Sequence, residues 1–232
     1  PKGWQSFGRV INAMIALHEV CGDGDDWMAR AVSWADYALT LQADNGCFYL
    51  INDVYYSSDI AADEIRALLR MYCRTDDERY LEAGLRFADW HLENQSPDGS
   101  WPLSEDRGGV TVGEYVGPGD IPNIAIAMLM AHQISGDPKY MVSAIRALRY
   151  SLSQQQRPDD ENGHYIEDPS THWGFWSWDP PYDYTMSGDQ STHHVRGYWF
   201  FLDYFLSLSE DARQEIRSEE RRVGKECATG CR

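Results

Sequence analysis

Residues 77–102 read DERYLEAGLRFADWHLENQSPDGSWP, and this stretch decides the fold. Its apolar positions Tyr80, Leu81, Leu85, Phe87, Ala88 and Leu92 gather mostly on one face of a helix running to Gln95. Asp98-Gly99 then supplies turn chemistry that stops the helix, and Trp101 closes the turn. The chain contains the segment three times. Shifted back by 53 residues, Tyr80 falls on Trp27, Asp89-Trp90 on Asp36-Tyr37, Gln95 on Gln42, Asp98-Gly99 on Asn45-Gly46 and Trp101 on Phe48. Shifted forward by 60, Tyr80 falls on Tyr140, Trp90 on Tyr150 and Gln95 on Gln155, with Asn162-Gly163 and Tyr165 closing a stretched turn.

Each copy follows an apolar leading helix and a short Gly/Asp turn. The leading helices are expected at Gly8–Val20, Ile60–Cys73 and Asn123–Ile134; the trailing helices at Trp27–Gln42, Glu78–Gln95 and Asp137–Gln156. A fourth leading helix, about Ser191–Leu208, has no expected partner after it. The unit is a helical hairpin of roughly 50 to 60 residues, a period that signals a stacked array. Trp34 and Tyr37 are expected to pack in the first hairpin, and Ser58 or Asp59 to cap the second leading helix. Pro122 suits the first turn of the third.

The chain has 232 residues and a formal net charge of −17. That acidity argues against nucleic acid or an anionic membrane as partner. No apolar run reaches membrane-spanning length; Ile121–Ala131 is apolar but short. Arg217–Cys227, RSEERRVGKEC, resembles the in-frame translation of a widely used short-read sequencing adapter. Residues 1–216 are therefore expected to form the domain, part of an array truncated at both ends, and residues 217–232 a non-native tail. Cys21, Cys47 and Cys73 match no zinc pair, redox CxxC or disulfide framework. Cys21 and Cys73 end matching helices, which predicts small buried hydrophobes. No metal site or cofactor is expected, and no twelve-residue Ca²⁺ loop is present. The sequence starts at Pro1, so no signal and no localisation can be read.

Three long loops, Ala43–Ser58, Ser96–Ile121 and Arg157–Gln190, each join a trailing helix to the next leading helix, whereas the other turns are short. Long loops therefore gather at one end of the array, where the leading helices begin with free N–H groups. They carry Tyr56, Glu114 and Asp120. The longest holds Trp173, Trp176, Trp178, Tyr182, Asp183, Tyr184 and Asp189, then runs into Ser191-Thr192-His193-His194-Val195-Arg196.

Hairpins of this length closed by Gln95-Ser96-Pro97-Asp98-Gly99-Ser100-Trp101 resemble the α/α toroids, and that loop is similar to the Gln-Trp repeat of squalene and terpene cyclases. The resemblance implies an all-α fold of repeated helical hairpins forming part of an (α/α) toroid, about three and a half hairpins of it. It implies one of three branches: glycan lyases and hydrolases, terpene cyclases, or prenyltransferase-like proteins. The Asp-x-Asp-Asp acid motif of the cyclases and the zinc pattern of the prenyltransferases are absent. Loop aromatics stack on sugar faces, and Asp, Asn, His and Arg bind hydroxyls and carboxylates, so the six-hairpin carbohydrate enzymes fit better.

Three readings follow. A lyase acting by β-elimination on a uronic acid needs a base, a carboxylate neutraliser and a proton donor. His193 or His194, Arg196, Asn123 and Tyr182 or Tyr184 could serve. Adjacent helical residues point about 100° apart, so at most one His faces a cavity. A glycoside hydrolase needs two carboxyls, with Asp179, Asp183, Asp189, Asp120, Glu114 and Asp59 as candidates. Asp59, Asp120 and Asp189 each precede or open a leading helix, where capping is the bland alternative. A non-catalytic glycan-binding protein would use Trp173, Trp176 and Trp178 as a stacking platform or as a hydrophobic plug. Lyase and hydrolase stand close to even, lyase slightly ahead on the His/Arg/Tyr cluster; the oligomeric state is not legible.

Overall fold

The structure is a computed structural model and describes residues 7–22, 26–49, 54–56, 59–101, 104–106, 111–113, 120–155 and 188–229. The described helices are α1 (Phe7–Cys21), α2 (Trp27–Leu39), α3 (Asp59–Thr75), α4 (Glu78–Glu93), α5 (Ile121–Ser135), α6 (Pro138–Ser153), α7 (Gly188–Ser207) and α8 (Glu210–Thr229). The expected hairpins are therefore present, their ends differing by at most three residues. The chain divides into two compact units, Pro1–Asn94 with Pro102–Glu114, and Gln95–Trp101 with Tyr115–Arg232.

In the first unit, hairpins α1–α2 and α3–α4 stack side by side, with leading helix on leading helix and trailing on trailing. Gly8 makes the α1–α3 approach possible: a Cβ there would lie 2.5 Å from the backbone of Asp63 and Glu64. Gln42 then ties the layers together. Its amide Nε2 donates to the carbonyl of Gly46 in its own turn, at 2.9 Å, and to that of Ala83 on α4, at 2.8 Å. Arg86 of α4 adds Nη2 bonds to the carbonyls of Ala43 and Asp44 (3.3 and 2.8 Å). Within the turn, Asn45 Oδ1 accepts from Cys47 N at 3.1 Å, and buried Phe48 packs edge-on against Phe7 and Phe87.

The second unit repeats this arrangement residue for residue. Gln95 Nε2 donates to Gly99 O at 3.0 Å and to Ser143 O on α6 at 3.1 Å. Arg146 Nη2 reaches the carbonyls of Ser96 and Pro97 at 2.9 and 3.2 Å, and Asp98 Oδ1 accepts from Ser100 N at 3.0 Å. Trp101 is fully buried. Gly46 and Gly99 take φ of 90° and 101°, open to glycine and strained for other residues. The third turn, Asn162-Gly163, lies outside the described residues.

The leading-to-trailing turns repeat as well. Asp76 (φ 55°) and Gly136 (φ 72°) occupy the same left-handed position. The next residue, Asp77 or Asp137, caps its helix by accepting from the N–H two positions on, at 3.0 Å in both.

Four details depart from the expectations. Two of the long loops carry short strands, β1 (Val54–Tyr56), β2 (Ser104–Asp106) and β3 (Thr111–Gly113), which pair antiparallel in the order β1-β2-β3. These two loops therefore do meet, as backbone ladders. Trp34 and Tyr37 are not packing residues: they are 40% and 54% exposed and touch each other edge-on. The buried face of α2 is made instead of Ala31, Ala35 and Ala38. Cys21 and Cys73 are exposed and Cys47 is buried. Finally, α8 follows α7, where no partner was expected, and Ile216 on it is buried.

The turn geometry gives a graded prediction. Gly99→Ala should cost on the order of 3 kcal/mol, since a Cβ would strike Arg146 O and the backbone is left-handed. Gly136→Ala, equally left-handed but with nothing within 4 Å, should cost only about 1 kcal/mol. Denaturant unfolding of both variants reads the difference directly.

Candidate functional site

The second unit brings several of the sequence candidates together. Pro122 opens α5, and Gly197 on α7 sits against it: a Cβ at Gly197 would approach Pro122 Cβ to 2.7 Å. That contact brings the first turn of α5 and the middle of α7 close enough for Arg196 Nη2 to donate to Asn123 Oδ1 at 2.6 Å. Asn123 is buried, Arg196 exposed, and Asn123 Nδ2 is buried without a hydrogen-bond partner. The pair is an exposed guanidinium held on a buried amide by a short, charge-assisted bond.

The two histidines separate as helical geometry requires. His193 is half-buried, whereas His194 is fully buried between α7 and α6 and hydrogen-bonds Ser151 Oγ through Nδ1. Ser151 Oγ also meets Tyr198 OH at 2.9 Å. Burial pushes the His194 imidazole down to about 3, with the neighbouring His193 adding to the effect, so His194 is neutral and too weak a base for proton abstraction near neutral pH. Burial also pushes the Tyr198 phenol up to about 12. The Ser151–His194–Tyr198 group is a structural link between α6 and α7, and sequence reading missed it because its members lie 43 and 47 residues apart. Similarly, His132 Nδ1 meets Tyr204 OH at 2.8 Å between α5 and α7.

Asp120 stands at the start of α5, half-buried, but in helical conformation and with no side-chain capping bond; the capping reading is thus not realised. Tyr56 lies in β1 and Asp189 in the first turn of α7. Trp173, Trp176, Trp178, Tyr182, Asp183, Tyr184 and Glu114 lie outside the described residues.

In the first unit Glu64 stands out. It lies beside Asp63 in the first turns of α3. Asp63 is half-buried and accepts from Arg9 at 3.2 Å and Arg66 at 3.1 Å. Glu64 is instead 2% exposed, and its Oε1 has no hydrogen-bond partner. Burial, reinforced by the charge on Asp63, raises its carboxyl well above the usual range. Nothing in the periodicity separates Asp63 from Glu64; only the packing of α1 against α3 does.

An apolar groove of about 310 Å³ lies between α6, α7 and α8, lined by Leu148, Leu152, Phe201, Phe205 and Ile216 among others. None of the sequence-derived candidates lines it. Among the described residues no group of three or more His, Cys, Asp or Glu is placed to hold a metal ion, and no helix is long and apolar enough to cross a membrane.

No family model and no curated protein matches the sequence. Solved structures do match the fold. An unsaturated glucuronyl hydrolase from Streptococcus agalactiae superposes with a TM-score of 0.68 at 13% identity, over 92% of this chain and 56% of that one. A glycoside hydrolase family 76 mannosidase from Bacteroides thetaiotaomicron gives 0.63 at 12% identity, over 97% and 60%. A cellobiose 2-epimerase from Bacillus thermoamylovorans gives 0.63 at 12% identity, over 85% and 52%. The fold is the α/α toroid of helical hairpins. The chain spans 52% to 60% of the length of these three structures.

The buried groups set the pH response. His194 falls from 6.5 to about 3 on folding, and fully buried His91, bonded to Phe87 O, to about 4. The unfolded chain therefore binds more protons below pH 6.5, and stability should drop as pH falls from about 6.5 towards 3. Glu64 acts in the opposite sense, its raised carboxyl favouring the fold at low pH and losing that contribution as pH rises from 4.5 through its folded value. Thermal unfolding across pH 4 to 8 should show the acid-side loss reduced in His194→Asn. In Glu64→Gln the loss of stability at higher pH should disappear.

Proposed function

We propose that this chain is part of a carbohydrate-active enzyme whose substrate contains a uronic acid, and that Arg196 on Asn123 binds the sugar carboxylate. Within this reading residues 1–216 are the toroid segment and residues 217–232 a non-native tail. The observation that carries it is the 2.6 Å bond between Arg196, in the middle of α7, and Asn123, in the first turn of α5. The beginning of α5 favours anions, and a guanidinium presents a fork of donors matching a carboxylate. Three proteins sharing the fold are named for acting on sugars: a glucuronyl hydrolase, a mannosidase and an epimerase.

β-Elimination suits such a clamp. A base removes the proton on C5, the electron pair forms the C4–C5 double bond, the C4–O bond breaks, and the departing oxygen takes a proton. Charge that builds on the carboxylate as C5 is deprotonated is met by Arg196 and Asn123. With His194 buried and neutral, His193 is the remaining histidine for the base, three residues before Arg196 on the same helix. Tyr182 or Tyr184 remain the proposed donors, and Asp183 and Asp189 the proposed carboxylates of the same loop. Trp173, Trp176 and Trp178 would stack on the sugar rings.

Hydrolysis is the second reading, with Asp120 at the start of α5 and Asp189 in the first turn of α7 as candidate carboxyls on the two helices that carry the Arg196–Asn123 pair.

Incubating the chain with uronate-containing and neutral saccharides separates these readings. Elimination gives a new ultraviolet absorbance from the double bond, hydrolysis new reducing ends only, and binding with neither signal marks a non-catalytic protein. Arg196→Ala should weaken binding or turnover of the acidic saccharide by about 10- to 100-fold and leave neutral ones unaffected. Equal effects on both classes would refute the clamp.

A further inference from the structure

Helices α1 and α3 meet along a strip of arginine, in a chain whose formal net charge is −17. Arg66, Arg70 and Arg74 recur every four residues of α3, so each follows the last by about one turn, roughly 6 Å of rise, on one face. Glu19 of α1 accepts from Arg70 at 3.4 Å and also from Arg74. Arg70 donates as well to a neutral amide, Asn12 Oδ1, at 2.9 Å. Nearer the start of α3, Asp63 takes both Arg9 and Arg66. Each carboxylate is thus shared by two guanidiniums. The side chains of Arg70, Arg74 and Glu19 are 27%, 48% and 37% exposed, so a dissolved ligand can reach them.

We propose that this strip is a docking surface for a polyanionic saccharide, a linear chain with carboxylates on successive sugars. A staple between two helices needs one cation per acid, and an exposed pair adds little stability. Like charges four residues apart on a helix repel, so placing Arg74 one turn beyond Arg70 works against α3 unless an anion offsets both. Glu19 offsets one of the two among the described residues, and the pair holds more N–H donors than one carboxylate has lone pairs. The surplus selects an anion. Repetition along α3 selects a chain that repeats its anion, because weak contacts to one chain reinforce each other through effective concentration. The choice of a saccharide among polyanions rests on the carbohydrate-active reading above, and the acidity of the chain as a whole disfavours nucleic acid.

The test measures binding of an end-labelled polygalacturonate oligomer to the 232-residue chain by fluorescence anisotropy. At about 0.1 M salt, screening over about 10 Å keeps distant acids out of the comparison. Arg70→Gln with Arg74→Gln should weaken binding about 10-fold or more. Should that variant not fold by circular dichroism, Arg74→Gln alone should weaken it about 3-fold. Glu19→Gln removes the internal competitor and should strengthen binding about 3-fold or more, the opposite of what a mere staple predicts. Glu82→Gln makes the same change of net charge at an exposed position of α4 and should leave binding unchanged. Binding unaffected by the arginine variants, a Glu19→Gln protein that binds no more tightly, or equal strengthening by Glu82→Gln would each overturn the proposal. So would tighter binding of single-stranded DNA of equal length. Failure of the Arg196 clamp is read separately: Arg196→Ala would then leave acidic saccharides unaffected while the Glu19 and Arg74 effects persist.

Discussion

The structure depends on one side chain used twice. Gln42 in the first unit and Gln95 in the second each span two backbones with one amide, holding the glycine turn that follows and a carbonyl on a trailing helix, α4 and α6 respectively. A carbonyl in the middle of a helix already accepts from its own ladder, so only its second lone pair is free for such a bridge. The glutamine ties its turn to that helix within the unit, and an arginine of the same helix closes the turn from the other side. Glycine at the turn is then obligatory, because the neighbouring helix backbone occupies the space of a Cβ.

Within each unit the leading helices approach closely where glycine removes a side chain, at Gly8 against α3 and at Gly197 against α5. The second approach is what lets Arg196 meet Asn123 across 73 positions of sequence. It also drives His194 into the interior beside Ser151 while leaving His193 half in solvent. The chemical division between adjacent residues is thus a packing result: the same residue type is a structural link at one position and available to a ligand at the next.

Much of this was legible in one dimension. Coincident glutamine, glycine and aromatic positions at two fixed offsets named the hairpins, their order and the toroid, because a repeat imposes its constraints wherever it occurs. Asn123 and Arg196 were legible as a pair of the right chemistry at the openings of two leading helices. What was not legible has a common cause. Cys21, Cys73, Trp34 and Tyr37 were read as packing residues because they are apolar and lie on helices, but the neighbouring elements do not reach them. Nor does the one-dimensional pattern tell the adjacent acids of α3 apart: Glu64 is buried, whereas Asp63 pairs with Arg9 and Arg66.

The sequence by itself determined the helical hairpin, its repetition, the residues that stop each helix and the acidic surface, since all of these are local or periodic properties of the chain. Tertiary structure alone decided which face of each helix is covered. It set which of two adjacent histidines or acids loses its water, and it paired the strands of two distant loops. Burial is the physical reason: periodicity shows that a helix has an apolar side, but desolvation depends on the distance to the next helix, and that distance is set by contacts more than 40 residues away in sequence.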